Sequence, residues 1–299
     1  MAAGLGTRMR PLTDSLPKPL IPIFGKPIIT FALDHLIAAG VERFVINTHH
    51  LPRCFEEFFA AGHYRGFPVT LVYEPERLET GGGIKNAAPL IGKEPFWVYS
   101  GDILTDTDLA PIAAEHRQNT QSVTLALRQT GFVPSINCVN GRITAIRRSE
   151  QAAYDFANIS IWDPEAVGRL PDGPAPFIPV LADWISRGER VGGVLADSGN
   201  WFNVGTPGAC LDLHEIIASG QWKPEAFPQG PPPPPASACI PASARLGGFV
   251  SIGENCEIGE HTELRDCVLW PGAKTASRIR LERCIVRTFA AQSASNQTF

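Results

Sequence analysis

Apolar and polar positions follow two rhythms along the first two thirds of the chain. Over residues 28–39 apolar side chains recur at Ile29, Leu33, Leu36 and Ile37, and Gly40 follows. Steps of three and four residues ending at a glycine predict an amphipathic helix with its stop signal. Phe44-Val45-Ile46 is a short unbroken apolar run, the mark of a buried strand. The same reading predicts helices over residues 53–61 and 109–118, and strands over 69–73, 96–99 and 122–127. Such alternation predicts an α/β fold: a Rossmann-like, mainly parallel sheet flanked by helices. Ligands of such sheets bind at the carboxyl ends of the strands. Residues 4–8, His49-His50 and Gly101-Asp102 are expected there, on one rim.

The rhythm breaks after residue 220. An unbroken proline run fills 231–235, which favours an extended polyproline spacer. Beyond it, Ile252-Gly253-Glu254-Asn255-Cys256-Glu257 and Ile258-Gly259-Glu260-His261-Thr262-Glu263 align as hexapeptides. Leu264, Cys267-Val268-Leu269 and Cys284-Ile285-Val286 carry the apolar beat onward. A single coil of this kind cannot bury its own apolar face, so the coils must stack. The expected organisation is a first domain over 1–220, a proline-rich linker over 221–242, a short stack over 243–287 and a polar, mobile tail over 288–299. The spacer predicts that the stack serves assembly or stability, including homo-oligomerisation, and is dispensable for chemistry.

Composition narrows the classes. With 299 residues and 44% hydrophobic content the chain can bury a sizeable core. A net charge of −4 gives no electrostatic reason to expect nucleic acid or a membrane surface as partner. No apolar stretch reaches membrane-spanning length and no basic-then-apolar leader precedes Ala2, so a cytoplasmic protein is expected. The seven cysteines form no CxxC pair and are expected to be reduced. Cys239, Cys256, Cys267 and Cys284 fit no zinc spacing and read as small buried hydrophobes.

The richest chemistry lies at the start. In Ala2-Ala3-Gly4-Leu5-Gly6-Thr7-Arg8 two glycines leave the backbone bare, and Arg8 adds fixed charge. Lys18 follows between two prolines, in Leu16-Pro17-Lys18-Pro19-Leu20. Bare N–H groups beside cations make a phosphate cradle. Asp102 follows an apolar strand and Gly101, where a carboxylate stands ready for a hard cation. Asp106 and Asp108 read instead as helix-capping groups, and His49 and His50 as structural histidines.

These segments resemble the signature of the sugar-1-phosphate nucleotidylyltransferases. Asn47-Thr48-His49-His50-Leu51, Leu78-Glu79-Thr80-Gly81-Gly82-Gly83-Ile84, Ser100-Gly101-Asp102-Ile103 and Trp201-Phe202-Asn203-Val204-Gly205-Thr206-Pro207 follow in that family's order. The resemblance implies a reaction that joins an NTP, GTP or UTP, to a sugar-1-phosphate and expels pyrophosphate. It implies Mg²⁺, held by Asp102 and Asn203, and catalytic roles for Arg8, Lys18 and Asp102. Ala3, Gly4, Leu5, Gly6 and Thr7 would cradle the nucleotide, with Glu74 reading the base and Thr80, Gly81, Gly82 and Gly83 forming a second glycine turn. Arg148, Asn158 and Glu165 are the candidates for the sugar phosphate. The proline-separated hexapeptides are similar to the left-handed β-helix of many relatives.

Two departures qualify the resemblance. The family begins with a hydrophobic strand ahead of the Ala-Ala-Gly, so a central strand is expected to be missing or cut short here. The family also carries aspartate where Asn203 stands, and that loses a negative charge. A catalytically weakened relative that binds sugar nucleotides or regulates an active paralogue is therefore the alternative reading.

Overall fold

In a computed structural model, residues 1–119, 121–129, 131, 133–147, 152–287 and 297–298 are described. In chain order come β1 (Pro22–Ile23), β2 (Lys26–Pro27), α1 (Ile28–Ala38), β3 (Phe44–Thr48), α2 (Pro52–Phe58), β4 (His63–Tyr64) and β5 (Phe67–Tyr73). Next are α3 (Glu79–Ala87), β6 (Phe96–Tyr99), β7 (Ile103–Thr105), α4 (Ala110–Gln118), β8 (Val123–Arg128), β9 (Ile136–Val139), β10 (Arg142–Ile146) and β11 (Asp155–Trp162). Then follow α5 (Pro164–Val167), α6 (Phe177–Ser186), β12 (Val191–Leu195), β13 (Trp201–Asn203) and α7 (Pro207–Ala218). The last are β14 (Arg245–Ile252), β15 (Glu263–Leu269), β16 (Arg280–Glu282), β17 (Ile285–Arg287) and β18 (Gln297–Thr298). The expected helices and strands are present, with ends moved by a residue or a few.

The chain forms two compact units, Met1–Leu5 with Ala32–Trp201, and Gly6–Phe31 with Phe202–Phe299. This division differs from the composition shift near residue 220. It also cuts the glycine-rich opening segment between Leu5 and Gly6.

In the first unit a six-stranded sheet runs β6-β11-β8-β12-β10-β9, and a separate sheet runs β3-β5-β4. The β8–β12 and β3–β5 pairs are parallel. The β6–β11, β11–β8, β12–β10, β10–β9 and β4–β5 pairs are antiparallel. The sheet is thus mixed rather than mainly parallel. The reason is physical: β8 is buried along its whole length, and a strand covered on both faces reads as a continuous apolar run whatever its direction. The core centres on Trp162, edge-on to Phe177 at 5.4 Å and to Trp184 at 6.3 Å. Around it pack Val123, Leu125, Leu127 and Leu181.

Met1 lies beside the end of β6. Its N–H donates to the Tyr99 carbonyl at 2.7 Å, and its carbonyl accepts from the Gly101 N–H at 2.8 Å. The Ala2 N–H donates to Asn47 Oδ1, on β3, at 2.8 Å. Met1 and Ala2 thus bond to the six-stranded sheet and to the β3-β5-β4 sheet, which share no strand.

In the second unit β1 and β2 form a hairpin, and β14, β15, β16 and β17 stack in parallel. Rungs lie 17 or 18 residues apart, as Arg245, Glu263 and Arg280 stand in register. Cys239, Glu257 and Lys274 bridge in the same spacing. Three hexapeptides per coil account for that step. Ile252, Cys256, Ile258, Leu264, Cys267, Leu269, Cys284 and Val286 fill the interior. Cys239 is the exception to the expected burial, for it is exposed. Where a Cβ on Gly259 would stand, the Ala276 carbonyl carbon is 2.4 Å away, so this corner admits glycine alone.

The segment after residue 220 is less of a spacer than its prolines suggest. Trp222 packs on Phe202 at 4.9 Å, and Phe227 meets the edges of Phe24 at 6.0 Å and Phe31 at 5.9 Å. Both aromatics are buried, which ties the start of the segment to the unit's core. The tail 288–299 lies outside the described residues, save for the backbone of β18 paired antiparallel with β17.

Candidate functional site

Each unit carries part of the predicted constellation. In the first, Ala2 and Ala3 are buried while Gly4 is exposed, and nothing lies within 4 Å of where its Cβ would stand. Backbone at Gly4 is therefore open to a ligand. Asp102 follows β6 and is half-buried. Burial pushes the nearby Met1 ammonium down to about 6, against the attraction of Asp102 and Glu74.

Asn158 stands on the same rim as Asp102. It adopts φ 62° inside β11, where the register against β8 shifts between Phe156 and Ser160. Its carbonyl accepts from the Ser100 N–H at 3.1 Å. The carbonyl of Ala157 accepts from Trp201 Nε1 at 2.9 Å. Bulges of this kind re-aim side chains and collect beside active sites. Glu165 goes elsewhere. Because β11 runs antiparallel to β6, Ile159 faces Tyr99 and Trp162 faces Phe96. Glu165, three residues past Trp162, belongs to the opposite end of the sheet from Asp102. Arg148 lies outside the described residues.

Glu79-Thr80-Gly81-Gly82-Gly83 is not a glycine loop but the opening of α3. The N–H groups of Gly81 and Gly82 both donate to the Ala175 carbonyl, at 2.7 and 3.1 Å. Thr80 Oγ1 accepts from the Phe177 N–H at 3.1 Å. A Cβ on Gly81 would lie 2.7 Å from Ala175 O, on Gly82 2.3 Å from Gly173 O, and on Gly83 2.7 Å from Glu74 Oε1. The three glycines bring the helix close to residues 173–177 and to Glu74. Glu74 is fully buried. Its Oε1 accepts from Asn47 Nδ2 at 2.7 Å and its Oε2 from the Leu78 N–H at 3.2 Å. Its carboxylate thus binds groups of the protein itself, and Asn47 passes that order on to the Ala2 N–H. His49 Nδ1 donates to the Glu74 carbonyl at 2.8 Å, a structural bond.

In the second unit Gly6 has φ 61°, a left-handed conformation that glycine adopts at little cost. A Cβ there would also meet Thr13 Cγ2 at 2.9 Å and Lys18 Cβ at 3.2 Å. Thr13 Oγ1 donates to the Gly6 carbonyl at 2.9 Å. Thr7 and Arg8 are exposed in the short turn Thr7–Met9. The Arg8 guanidinium rests on Gly205, its Nη2 3.5 Å from where that residue's Cβ would stand. Lys18 is buried, and its Nζ donates to Asn203 Oδ1 at 3.4 Å. The Gly205 N–H donates to the Asn203 carbonyl at 2.8 Å, and Thr206 caps α7 by accepting from the Ala209 N–H at 3.2 Å. Both cations of the opening segment therefore meet residues 203–205. Thr13 and Gly205 went unassigned in the sequence, although Thr13 lies between the two cations and Gly205 lies within a recognised motif.

Among the described residues no three His, Cys, Asp or Glu side chains gather as a metal cluster, and no helix is long and apolar enough to cross a membrane.

The family model "Nucleotidyl transferase" matches residues 1–132. A mannose-1-phosphate guanylyltransferase of Mycobacterium tuberculosis is 30% identical, over 95% of this chain and 82% of its own length. An N-acetylmuramate alpha-1-phosphate uridylyltransferase of Caulobacter vibrioides is 36% identical, over 73% of this chain and 95% of its own. Among solved structures, an apo UDP-glucose pyrophosphorylase superposes with a TM-score of 0.61 at 19% identity, covering 74% of this chain and 97% of that one, a likeness of fold. The motifs in their order and these relatives together establish that the chain belongs to the sugar-1-phosphate nucleotidylyltransferases and is a nucleotidyltransferase.

Proposed function

We propose that the protein transfers a nucleotidyl group from GTP or UTP to a sugar-1-phosphate, with Mg²⁺, giving an NDP-sugar and pyrophosphate. The observation that carries this reading is the pair of cations on one loop, Arg8 exposed beside Gly205 and Lys18 buried against Asn203. Two polyanions must meet in this reaction, and its transition state spreads negative charge over phosphoryl oxygens. Fixed cations and bare N–H groups stabilise that charge without having to reorganise. Arg8 binds the β- and γ-phosphates and steadies the leaving pyrophosphate. Lys18, held by Asn203, stays aimed at the α-phosphate or the incoming sugar phosphate. Open backbone at Gly4, with Ala3, Leu5, Gly6 and Thr7, completes the cradle. Asn158 is the sugar-side group on the rim of Asp102. Glu74, Thr80, Gly81, Gly82 and Gly83 act indirectly, by fixing Asn47 and α3.

Mg²⁺ takes oxygen donors, one or two carboxylates together with phosphate oxygens and water. The Asp102 carboxylate and the Asn203 amide oxygen are donors of that kind. Held by either donor, such an ion would supply charge neutralisation to the phosphates. One observation favours the second reading, a weakened relative that binds sugar nucleotides: Asn203 is uncharged and already accepts from Lys18. The C-terminal stack reads as a left-handed β-helix, on its hexapeptides and its 17- or 18-residue rungs, and its outer faces as the surface for self-association in the cytoplasm.

Arg8→Ala tests the reading. Losing one charge-assisted phosphate contact should lower kcat about a hundredfold, near 3 kcal/mol, with less effect on KM for the sugar phosphate. An unchanged kcat would remove Arg8 from the phosphate cradle. Binding of sugar nucleotide by the unaltered protein without pyrophosphate release would favour the second reading.

A further inference from the structure

The last rung of the stack ends in a buried cation that does not face the stack interior. Ile285 and Val286 of β17 pair with Val268 and Leu269 of β15, so the register of the stack fixes where β17 ends. Its final residue, Arg287, is 1% exposed. Nη1 donates to the Leu12 carbonyl at 3.1 Å and to Ser15 Oγ at 2.7 Å. Leu12 and Ser15 flank Thr13, the residue whose hydroxyl holds the Gly6 carbonyl and whose methyl packs at Gly6. The gripped segment lies between Arg8 and Lys18, the two proposed phosphate cations. Nothing in the proline spacer hinted at this, because 275 residues separate Arg287 from Leu12.

We propose that Arg287 is a positioning residue, through which the C-terminal stack holds the loop carrying Arg8 and Lys18 in its phosphate-binding shape. The significance for the reaction rests on the role proposed above for those cations. A guanidinium suits the task. It is planar and permanently charged, and it grips two acceptors with little loss of side-chain freedom. Asp14, within the gripped segment, adds attraction that favours the charged form against the cost of burial. The stack is then a part of the catalytic apparatus rather than a separable appendage.

The test uses the full chain with Arg287→Met, Arg287→Lys and Ser15→Ala. Amide exchange is read over residues 12–20 and over β14 and β15, beside pyrophosphate release. Arg287→Met should leave exchange in β14 and β15 unchanged, speed exchange over 12–20 roughly tenfold and lower kcat by a similar factor. Arg287→Lys should recover part of both. Ser15→Ala, which spares Arg287 and its buried surroundings, should speed exchange over 12–20 by about threefold. If Arg287→Met folds and exchange over 12–20 stays at the wild-type rate, the clamp does not exist. If Arg287→Met fails to fold, an unchanged rate in Ser15→Ala excludes the clamp in its place. A wild-type protein that releases no pyrophosphate would defeat the reading of function alone, and the exchange data would still decide the clamp.

Discussion

His214 should make the fold less stable in acid. It lies on α7, fully buried, with its ring 4.6 Å from Phe24 and stacked on Phe249 at 6.0 Å. Nδ1 donates to the Cys210 carbonyl at 2.8 Å, and Nε2 accepts from the Phe24 N–H at 3.2 Å. The imidazole is therefore neutral, with its proton on Nδ1. Protonating Nε2 would oppose two donors in an apolar setting. Burial pushes the pKa from 6.5 down to about 4, with a smaller opposing effect of the Cys210 carbonyl. Between those values the unfolded chain takes a proton that the folded one refuses. The contribution of His214 to stability is then full above pH 6.5 and is lost as pH falls toward 4. At ~1.4 kcal/mol per pH unit the whole loss is ~3 kcal/mol, and the part spent by pH 5 is ~2 kcal/mol. Urea unfolding of wild type and His214→Gln at pH 7.5 and pH 5 isolates this contribution, because the other titrating groups cancel in the difference. The variant should be the less stable at pH 7.5, having lost the ring's packing. Its deficit should shrink by ~2 kcal/mol at pH 5. A deficit that is the same at both pH values would mean that His214 does not titrate differently in the folded and unfolded chain.

Glycine substitutions separate packing from ligand approach: Gly82→Ala puts a Cβ 2.3 Å from the Gly173 carbonyl and should cost about 1–3 kcal/mol in thermal or urea unfolding. Gly4→Ala meets no atom within 4 Å, so stability should hold while nucleotide affinity, read by calorimetry, falls. Asn203→Asp should tighten Mg²⁺ binding and raise activity most at low Mg²⁺, since an added carboxylate strengthens the hold on a hard cation. If neither responds, Asn203 is not a ligand and serves only to hold Lys18.

What the sequence revealed depended on whether local chemistry or distant packing decided each feature. The Gly-x-Gly-x-Arg segment shows glycine at position 6 as bare backbone, and the left-handed φ there is a second reason for it that only the structure gives. Gly81, Gly82 and Gly83 mislead because a glycine run has no apolar period. Propensity argues for a loop, yet close packing on residues 173–177 and Glu74 imposes a helix. β11 was not among the expected strands, and its direction is not legible in the sequence, since the buried half of that strand reads the same either way. That direction alone sends Glu165 to the far end of the sheet and leaves Asn158 beside Asp102. In the proline-rich segment Trp222 and Phe227 were the overlooked signal, for large aromatics seldom sit idle in a true spacer. Arg287 offered no local signal at all, because its partners are fixed by the register of the stack.

Asp102, Arg8 and Lys18 are proposed to serve nucleotidyl transfer in this chain. Pyrophosphate release tests it most directly, with GTP and UTP each paired with mannose-1-phosphate and N-acetylmuramate-1-phosphate, in the presence of Mg²⁺. Release should require both substrates, and a folded Asp102→Ala variant should lose it by a hundredfold or more, about 3 kcal/mol of transition-state stabilisation. Release by Asp102→Ala at the wild-type rate, or none from the wild-type protein with any pairing of these substrates, would contradict it.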